Sequence, residues 1–314
     1  MNINHILVVI TEPKSIFLEI LIKYFKSSSF KKNKKKISIV GNISLIRREI
    51  KKNNYKIKIN EILDISESKK NVINIINIET KNKIKISNYI SDCFDKSLYI
   101  LKKNKNVALL NGPVNKKTFL RKKYLGITEY LAKKTKSKNP VMLIYNETLS
   151  VSPITTHLPI KYVSKNINKS KIIKKVKSIN SFYVKNLKKK PKIAVLGLNP
   201  HCETIERAGE EQKEIIPAIR RLRSEKLNIK GPFSADTFFI KKNIDNYDVV
   251  VGMYHDQVLT PLKTLYNFNA INITIGLPFI RISPDHGPNS HMLGKNISDP
   301  SSFFYAMNFI EKNK

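Results

Sequence analysis

The chain reads as an α/β protein with a mostly parallel sheet covered by helices. Three observations carry that reading. Short β-branched runs alternate with longer stretches of helical periodicity. From Asn111 onward, Gly, Pro, His and Asp concentrate at the ends of the apolar runs, and in open α/β sheets ligands bind outside the carboxyl ends of strands. The 314 residues suit one large or two medium domains and can bury a substantial core.

The runs at 6–10, 37–40, 72–78, 107–110, 141–145, 193–198, 249–253 and 271–275 have the length and β-branched content of strands. Helical periodicity marks 87–103, 169–189 and 210–227, and 301–312 closes the chain as a helix. A further helix is expected to begin at His255. Residues from about 30 to 105 are rich in Lys, Asn and Ile and carry little readable chemistry. Functional residues are therefore expected in the second two-thirds. No internal repeat or linker-like segment interrupts the pattern.

Composition sets the class. Hydrophobic residues at 41% and charged residues at 26% suit a globular enzyme rather than a disordered chain. No apolar run reaches bilayer length, which argues against a membrane protein. The run at 6–10 is too short for a signal peptide and suits a buried strand. Cys93 and Cys202 form no disulfide framework or metal spacing, as suits a reducing cytoplasm. The formal charge of +34, from 58 Lys+Arg against 24 Asp+Glu, raises the question of nucleic acid. The lysines are scattered through nearly every segment beside abundant Asn and Ile, and no nucleic-acid motif accompanies the runs at 31–36 and 188–190. Compositional drift explains the charge better, and no specific nucleic-acid partner is expected. A positive field would still gather a phosphorylated substrate and a dinucleotide.

Three histidines each follow an apolar strand candidate: His157 in Thr155-Thr156-His157-Leu158-Pro159, His201 in Leu198-Asn199-Pro200-His201, and His255 in Met253-Tyr254-His255-Asp256-Gln257. Neutral imidazole is a good ligand for zinc and similar ions, and three protein ligands with an open position is the catalytic arrangement. Three unrelated polar residues at strand ends would look the same by spacing alone. Asp256 could orient an imidazole or move a proton, or simply be solvated. Lys263, Asn272 and Arg281 would together suit a ligand bearing phosphate and carboxylate. Taken singly, Lys263 reads as a surface lysine, whereas Asn272 sits inside an apolar strand, where an amide needs partners. The loop Asn111-Gly112-Pro113-Val114-Asn115-Lys116 could bring backbone N–H groups and Lys116 to an anion. Neither it nor Pro284-Asp285-His286-Gly287 matches a Rossmann fingerprint or a P-loop.

Taken in order, these words resemble the 4-hydroxythreonine-4-phosphate dehydrogenase family. The resemblance rests on Asn111–Val114, Thr128-Glu129, Thr155–Pro159, Leu198–His201, Glu210-Glu211 with Ile215–Pro217, Gly231–Thr237, Met253–Gln257, Asn272–Arg281 and Asp285–Gly287. It is strong from about residue 107 to the end and faint before that. It implies an isocitrate/isopropylmalate dehydrogenase-like fold of two α/β/α lobes with a cleft between them. The lobes are expected at 1–130 plus 277–314, on the cofactor side, and at 131–276, carrying the metal ligands and a dimer interface.

Carried over residue by residue, the resemblance makes His157, His201 and His255 ligands of one divalent ion (zinc, magnesium or cobalt). It makes Thr128, Lys263, Asn272 and Arg281 substrate contacts, and Asp236 and Asp256 candidates for proton transfer. It places Asp285, His286 and Gly287 near the adenosine of NAD or NADP. It implies a cytoplasmic homodimer that shares its metal site between subunits, acting in pyridoxal 5′-phosphate biosynthesis. The reaction implied is oxidation of 4-phosphooxy-L-threonine at C3, then decarboxylation to 3-amino-2-oxopropyl phosphate.

The chain departs from the family pattern in four places. Ile127 stands where a histidine usually precedes the Thr-Glu pair, Asn115 replaces a histidine, Thr11–Phe17 replaces a glycine-rich word, and Cys202-Glu203-Thr204 follows His201 where Ala-Gly-Glu is usual, in a loop one residue shorter. These changes keep open a related dehydrogenase of 4-phosphothreonate or 4-phosphoerythronate, or a non-catalytic relative that binds an anion or metal.

Overall fold

A computed structural model describes residues 3–79, 85–115, 119–120, 123–203 and 209–312. The chain divides into two compact units, Met1–Ile127 with Pro278–Lys314, and Thr128–Leu277. The first unit opens with β1 (His5–Val9), α1 (Phe17–Lys26), α2 (Ser28–Lys32), β2 (Lys36–Gly41), α3 (Ile43–Lys52), β3 (Ile59–Glu61), β4 (Ile73–Asn77), α4 (Ile86–Lys103) and β5 (Val107–Asn111). The second contains α5 (Ile127–Lys134), β6 (Val141–Tyr145), β7 (Ser150–Pro153), α6 (Lys169–Phe182), β8 (Ile193–Leu196), α7 (Ile216–Ser224), β9 (Ile229–Phe233), α8 (Ala235–Phe238), α9 (Lys241–Ile244), β10 (Val249–Gly252), α10 (His255–Tyr266) and β11 (Ile271–Ile275). The chain then returns to the first unit as β12 (Arg281–Pro284) and α11 (Ser301–Lys312).

In the first unit the strand order is β3-β4-β2-β1-β5-β12, and every pairing is parallel. β1 and β5 are buried along their whole length, which is why they read as unbroken apolar runs rather than alternating ones. Strand order reverses between β1 and β5, making their carboxyl ends a topological switch point. Thr11 and Pro113 meet there, the hydroxyl donating to the carbonyl at 2.6 Å. In the second unit the order is β11-β6-β7-β10-β8-β9. β7, β10, β8 and β9 are parallel, whereas β6 is antiparallel to both of its neighbours. The expected parallel sheet therefore holds with one reversed strand.

All eight expected strands form, most of them to within a residue of the expected bounds. The run at 193–198 ends as a strand at Leu196. Four strands carried no signal. β7 (SVSP), β9 (IKGPF) and β12 (RISP) contain serine, glycine, proline or arginine, and β3 has only three residues. α1 was hidden because eight of its ten residues are buried, which erases the polar face a periodicity reading needs. Side-chain caps set other helix starts: Asn42 accepts from the Leu45 N–H at 3.2 Å, and Asn168 from the Lys171 N–H at 2.8 Å. No helix among the described residues is long and apolar enough to cross a membrane.

One polar chain runs through the first unit's core. The His5 ring Nε2 lies 2.8 Å from the Ser38 hydroxyl, which lies 2.6 Å from that of Ser68. All three residues are buried. Burial, helped by Lys36 and opposed by Asp64, lowers the His5 pKa from 6.5 to about 4. His5 is thus neutral in the folded chain while the unfolded chain takes up a proton below pH 6.5. Stability is complete above that value and falls as pH drops toward 4, by about 3 kcal/mol from this residue. His5→Gln is expected to flatten the fall in urea-unfolding free energy between pH 6.5 and 4 by up to that amount. Superimposable slopes for the two proteins would contradict the assignment.

Candidate active site

Three adjacent parallel strands each deliver one of the histidines. His157 follows β7, His255 follows β10 and His201 follows β8, and in the sheet these strands lie in the order β7-β10-β8. Neighbouring strands are about 4.8 Å apart, so residues just beyond their carboxyl ends are forced together. The His157 and His255 rings lie 5.7 Å apart at their centroids, tilted by 36°. His255 opens α10, and its Nδ1–H donates to the Asp256 carboxylate at 2.6 Å, which leaves Nε2 as the ring's lone-pair donor. His201 sits in a left-handed backbone conformation at φ 55°.

Asp236 follows the next strand over, β9, in the short helix α8. The Ser234 hydroxyl donates to it at 2.6 Å. That bond first, then the Thr237 N–H and more weakly the His201 side chain, holds its carboxyl below the usual carboxylate range. No group of three His, Cys, Asp or Glu side chains converges on one point among the described residues. The donor chemistry nonetheless fits a divalent ion: borderline-soft imidazoles from neighbouring strands, one with its tautomer locked by a carboxylate.

The expected substrate residues divide. Thr128 is buried at the start of α5, with its hydroxyl 3.3 Å from that of Thr274 in β11. Asn272 lies two residues before Thr274 and so shares its face of the strand. Its Oδ1 is buried with no hydrogen-bond partner among the described residues. These three form one polar patch, and Thr274 was not anticipated because a threonine in a β-branched strand carries no signal of its own. Lys263 is exposed, its ammonium 5.9 Å from the Phe268 ring centroid. Eight residues of helix separate it from His255, about 12 Å of rise, so the two do not meet along α10.

In the first unit, Arg281 begins β12 beside β5 and is 1% exposed. Its Nε–H donates to Asn111 Oδ1 at 2.7 Å, and the Asn111 amide donates to the Gly112 carbonyl at 2.7 Å. A guanidinium fork here suits a carboxylate or phosphate. Asp285, His286 and Gly287 follow β12. His286 Nδ1–H donates to the Gly287 carbonyl at 2.9 Å, its ring lies 6.2 Å from Phe17, and burial lowers its pKa. Nε2 is left a buried acceptor without a partner among the described residues. Lys116 lies outside the described residues.

Sequence reasoning missed Lys175. Its Nζ donates to the Pro153 carbonyl at 3.4 Å, at the end of the strand that leads to His157. Burial first, then Lys171, lowers its pKa to about 8 against the opposing pull of Glu129. As one of 58 basic residues it was indistinguishable from the rest. Glu129 in turn accepts from the Thr156 hydroxyl at 3.4 Å. A cavity of about 560 Å³ also opens beside β9, lined by Lys192, Lys230, Phe233, Ser234, Thr237 and Tyr247 among others. None of the histidines lines it, and its lysines are solvated, so the strand-end histidines are the stronger candidate.

The family model of the pyridoxal phosphate biosynthetic protein PdxA matches residues 33–310. A 4-hydroxythreonine-4-phosphate dehydrogenase of Sulfurihydrogenibium sp. (strain YO3AOP1) is 38% identical over 316 aligned positions, covering 94% of this chain and 94% of its own. The crystal structure of 4-hydroxythreonine-4-phosphate dehydrogenase from Klebsiella pneumoniae matches with a TM-score of 0.82 at 28% identity, over 98% of each chain. Isocitrate dehydrogenase from Methylococcus capsulatus matches at a TM-score of 0.51 and 10% identity, over 98% of this chain and 85% of that one. The last likeness concerns the fold alone, and it bears out the isocitrate dehydrogenase-like class.

Arg281 allows a test that needs no ligand. Arg281→Lys keeps the charge but cannot reproduce the planar Nε–H donor to Asn111. It is expected to lower the urea-unfolding free energy by about 2 kcal/mol, the worth of a buried charge-assisted hydrogen bond. Wild-type stability in that variant would show that the guanidinium is not needed for the fold.

Proposed function

This chain belongs to the family of the pyridoxal phosphate biosynthetic protein PdxA, and we propose that it oxidises 4-phosphooxy-L-threonine at C3 and decarboxylates the product to 3-amino-2-oxopropyl phosphate, using NAD or NADP and one divalent metal ion. The observation that carries this reading is the delivery of His157, His255 and His201 from the carboxyl ends of three neighbouring parallel strands.

A divalent ion (zinc, magnesium or cobalt) held by these histidines would supply Lewis acidity to the substrate hydroxyl. Asp256 fixes the His255 tautomer, and Asp236, kept anionic chiefly by the Ser234 hydroxyl, would take up a proton. Thr128, Lys263, Asn272 and Arg281 bind the substrate's phosphate and carboxylate. Asp285, His286 and Gly287 would hold the cofactor adenosine, with His286 Nε2, which has no partner among the described residues, as an acceptor. A nicotinamide would supply the acceptor for the C3 hydride, and the resulting β-keto acid would lose its carboxylate as CO2.

The unit rich in metal ligands takes the ion, and the unit with the β1/β5 switch point takes the cofactor. The distance of Lys263 from His255 along α10 supports a homodimer in which one subunit completes the other's site. A location in the cytoplasm agrees with two free cysteines. Ile127, half-buried just before Thr128, changes the position next to the substrate residues and motivates a second reading in which the substrate is 4-phosphothreonate or 4-phosphoerythronate.

The test is reduction of NAD or NADP followed by absorbance, with purified protein, each metal, and these three phosphorylated hydroxy acids. His157→Ala, His201→Ala and His255→Ala are each expected to fold, to weaken metal binding by at least about 10-fold, and to lose most activity. The exposed His291 provides a control whose replacement is nearly silent. Stoichiometric metal in all three variants would remove the chemical basis of the reading, and light scattering that shows an active monomer would remove the shared site.

A further inference from the structure

Two side chains without chemistry of their own join the loops that carry His201 and His255. Gln257 lies one half-turn into α10 and folds back toward the sheet. Its Oε1 accepts from the Met253 N–H at 2.7 Å, and its Nε2 donates to the Gly197 carbonyl at 2.8 Å. Val251 and Val195 are paired in the parallel ladder of β10 and β8, so Met253 and Gly197 stand two residues further on, where the strands part. The Gln257 amide therefore acts as one added peptide rung. It continues the ladder beyond its last backbone bond and sets how far apart the two loops begin.

Glu211 grips the other side of the same loop. It is fully buried. Its Oε1 accepts from the Leu198 N–H at 2.7 Å and the Asn199 N–H at 2.9 Å, and its Oε2 accepts from the Asn199 side-chain amide at 2.9 Å. Immediately afterwards His201 and Cys202 adopt left-handed conformations, at φ 55° and 60°. Non-glycine residues are strained there and persist only when the surroundings over-determine them. Three bonds to a buried carboxylate do that.

Two glycines leave the room this needs. A Cβ at Gly197 would lie 2.7 Å from Cys202 Sγ and 3.2 Å from Glu211 Oε1. A Cβ at Gly252 would lie 2.4 Å from Val258 Cγ1 and 2.9 Å from Gln257 Oε1. Either side chain would push the bracket open.

We propose that Gln257 and Glu211 are positioning residues that hold the His201 loop against the His255 helix, and so set the metal affinity of the histidine site. The proposal rests on the metal reading above. Its test is Co²⁺ titration followed by visible d–d absorption, which reports ligand geometry without any turnover. Gln257→Glu keeps the acceptor for Met253 but turns a carboxylate toward the Gly197 carbonyl. Glu211→Gln keeps the shape but sets its amide against that of Asn199.

Each variant is expected to bind Co²⁺ about 10-fold more weakly, as loss of an outer partner does, and to shift the d–d spectrum. A purely structural role would lower the melting temperature of the metal-free protein and leave affinity and spectrum unchanged well below melting. Should Gln257→Glu fail to fold, Glu211→Gln carries the same expectation. His201→Ala separates the two levels of the argument. If it binds Co²⁺ like the wild type, the metal reading falls and the bracket falls with it. If it binds weakly while Gln257→Glu and Glu211→Gln both match the wild type in affinity and spectrum, the bracket alone is overturned.

Discussion

Everything at the candidate site depends on the parallel pairing of β7, β10, β8 and β9. Parallel strands all end at one edge of a sheet, and hydrogen bonding holds neighbours about 4.8 Å apart. Residues that follow those ends are brought together however far apart they lie in the chain. Each return to the starting edge needs a crossover, and α6 and α7 supply two of them. This is how three histidines in three distant segments, with Asp236 from a fourth, come to lie along one rim.

The same pairing explains why so much polar material is buried close to function. A carboxylate or guanidinium taken out of water is destabilising unless its hydrogen bonds are replaced. Glu211 replaces them with three donors from one loop, and the Arg281 Nε–H donates to the Asn111 side-chain Oδ1. Lys175 shows the opposite response, since burial lowers its pKa to about 8 and weakens its hold on the proton. His5, far from any proposed ligand, avoids the cost by staying neutral against Ser38. The large positive charge enters these arrangements only where Lys36 and Lys171 add to the effect of burial at His5 and Lys175. It is spread over the surface, where it influences encounter rather than fold.

Most of the central strands were legible because burial on both faces leaves an unbroken apolar run, as in residues 6–9 of β1 and 107–110 of β5. β7, β9 and β12 were illegible because serines, a Gly-Pro pair and Arg281 interrupt the β-branched pattern. The histidines could be named from their place after apolar runs. Gln257 and Glu211 could not be given a role, because an amide or carboxylate that holds a backbone looks the same in sequence as one in water.

By itself the sequence determined the α/β class, the family, and the kinds of side chain available for metal, phosphate and cofactor. Those are properties of composition and of order along the chain. Strand order across each sheet, the one reversed strand β6, the approach of the His157 and His255 rings, and the distance that separates Lys263 from His255 were decided by tertiary structure. They depend on which edges hydrogen-bond to which and on how far a helix rises per residue, and both join positions that no local pattern connects.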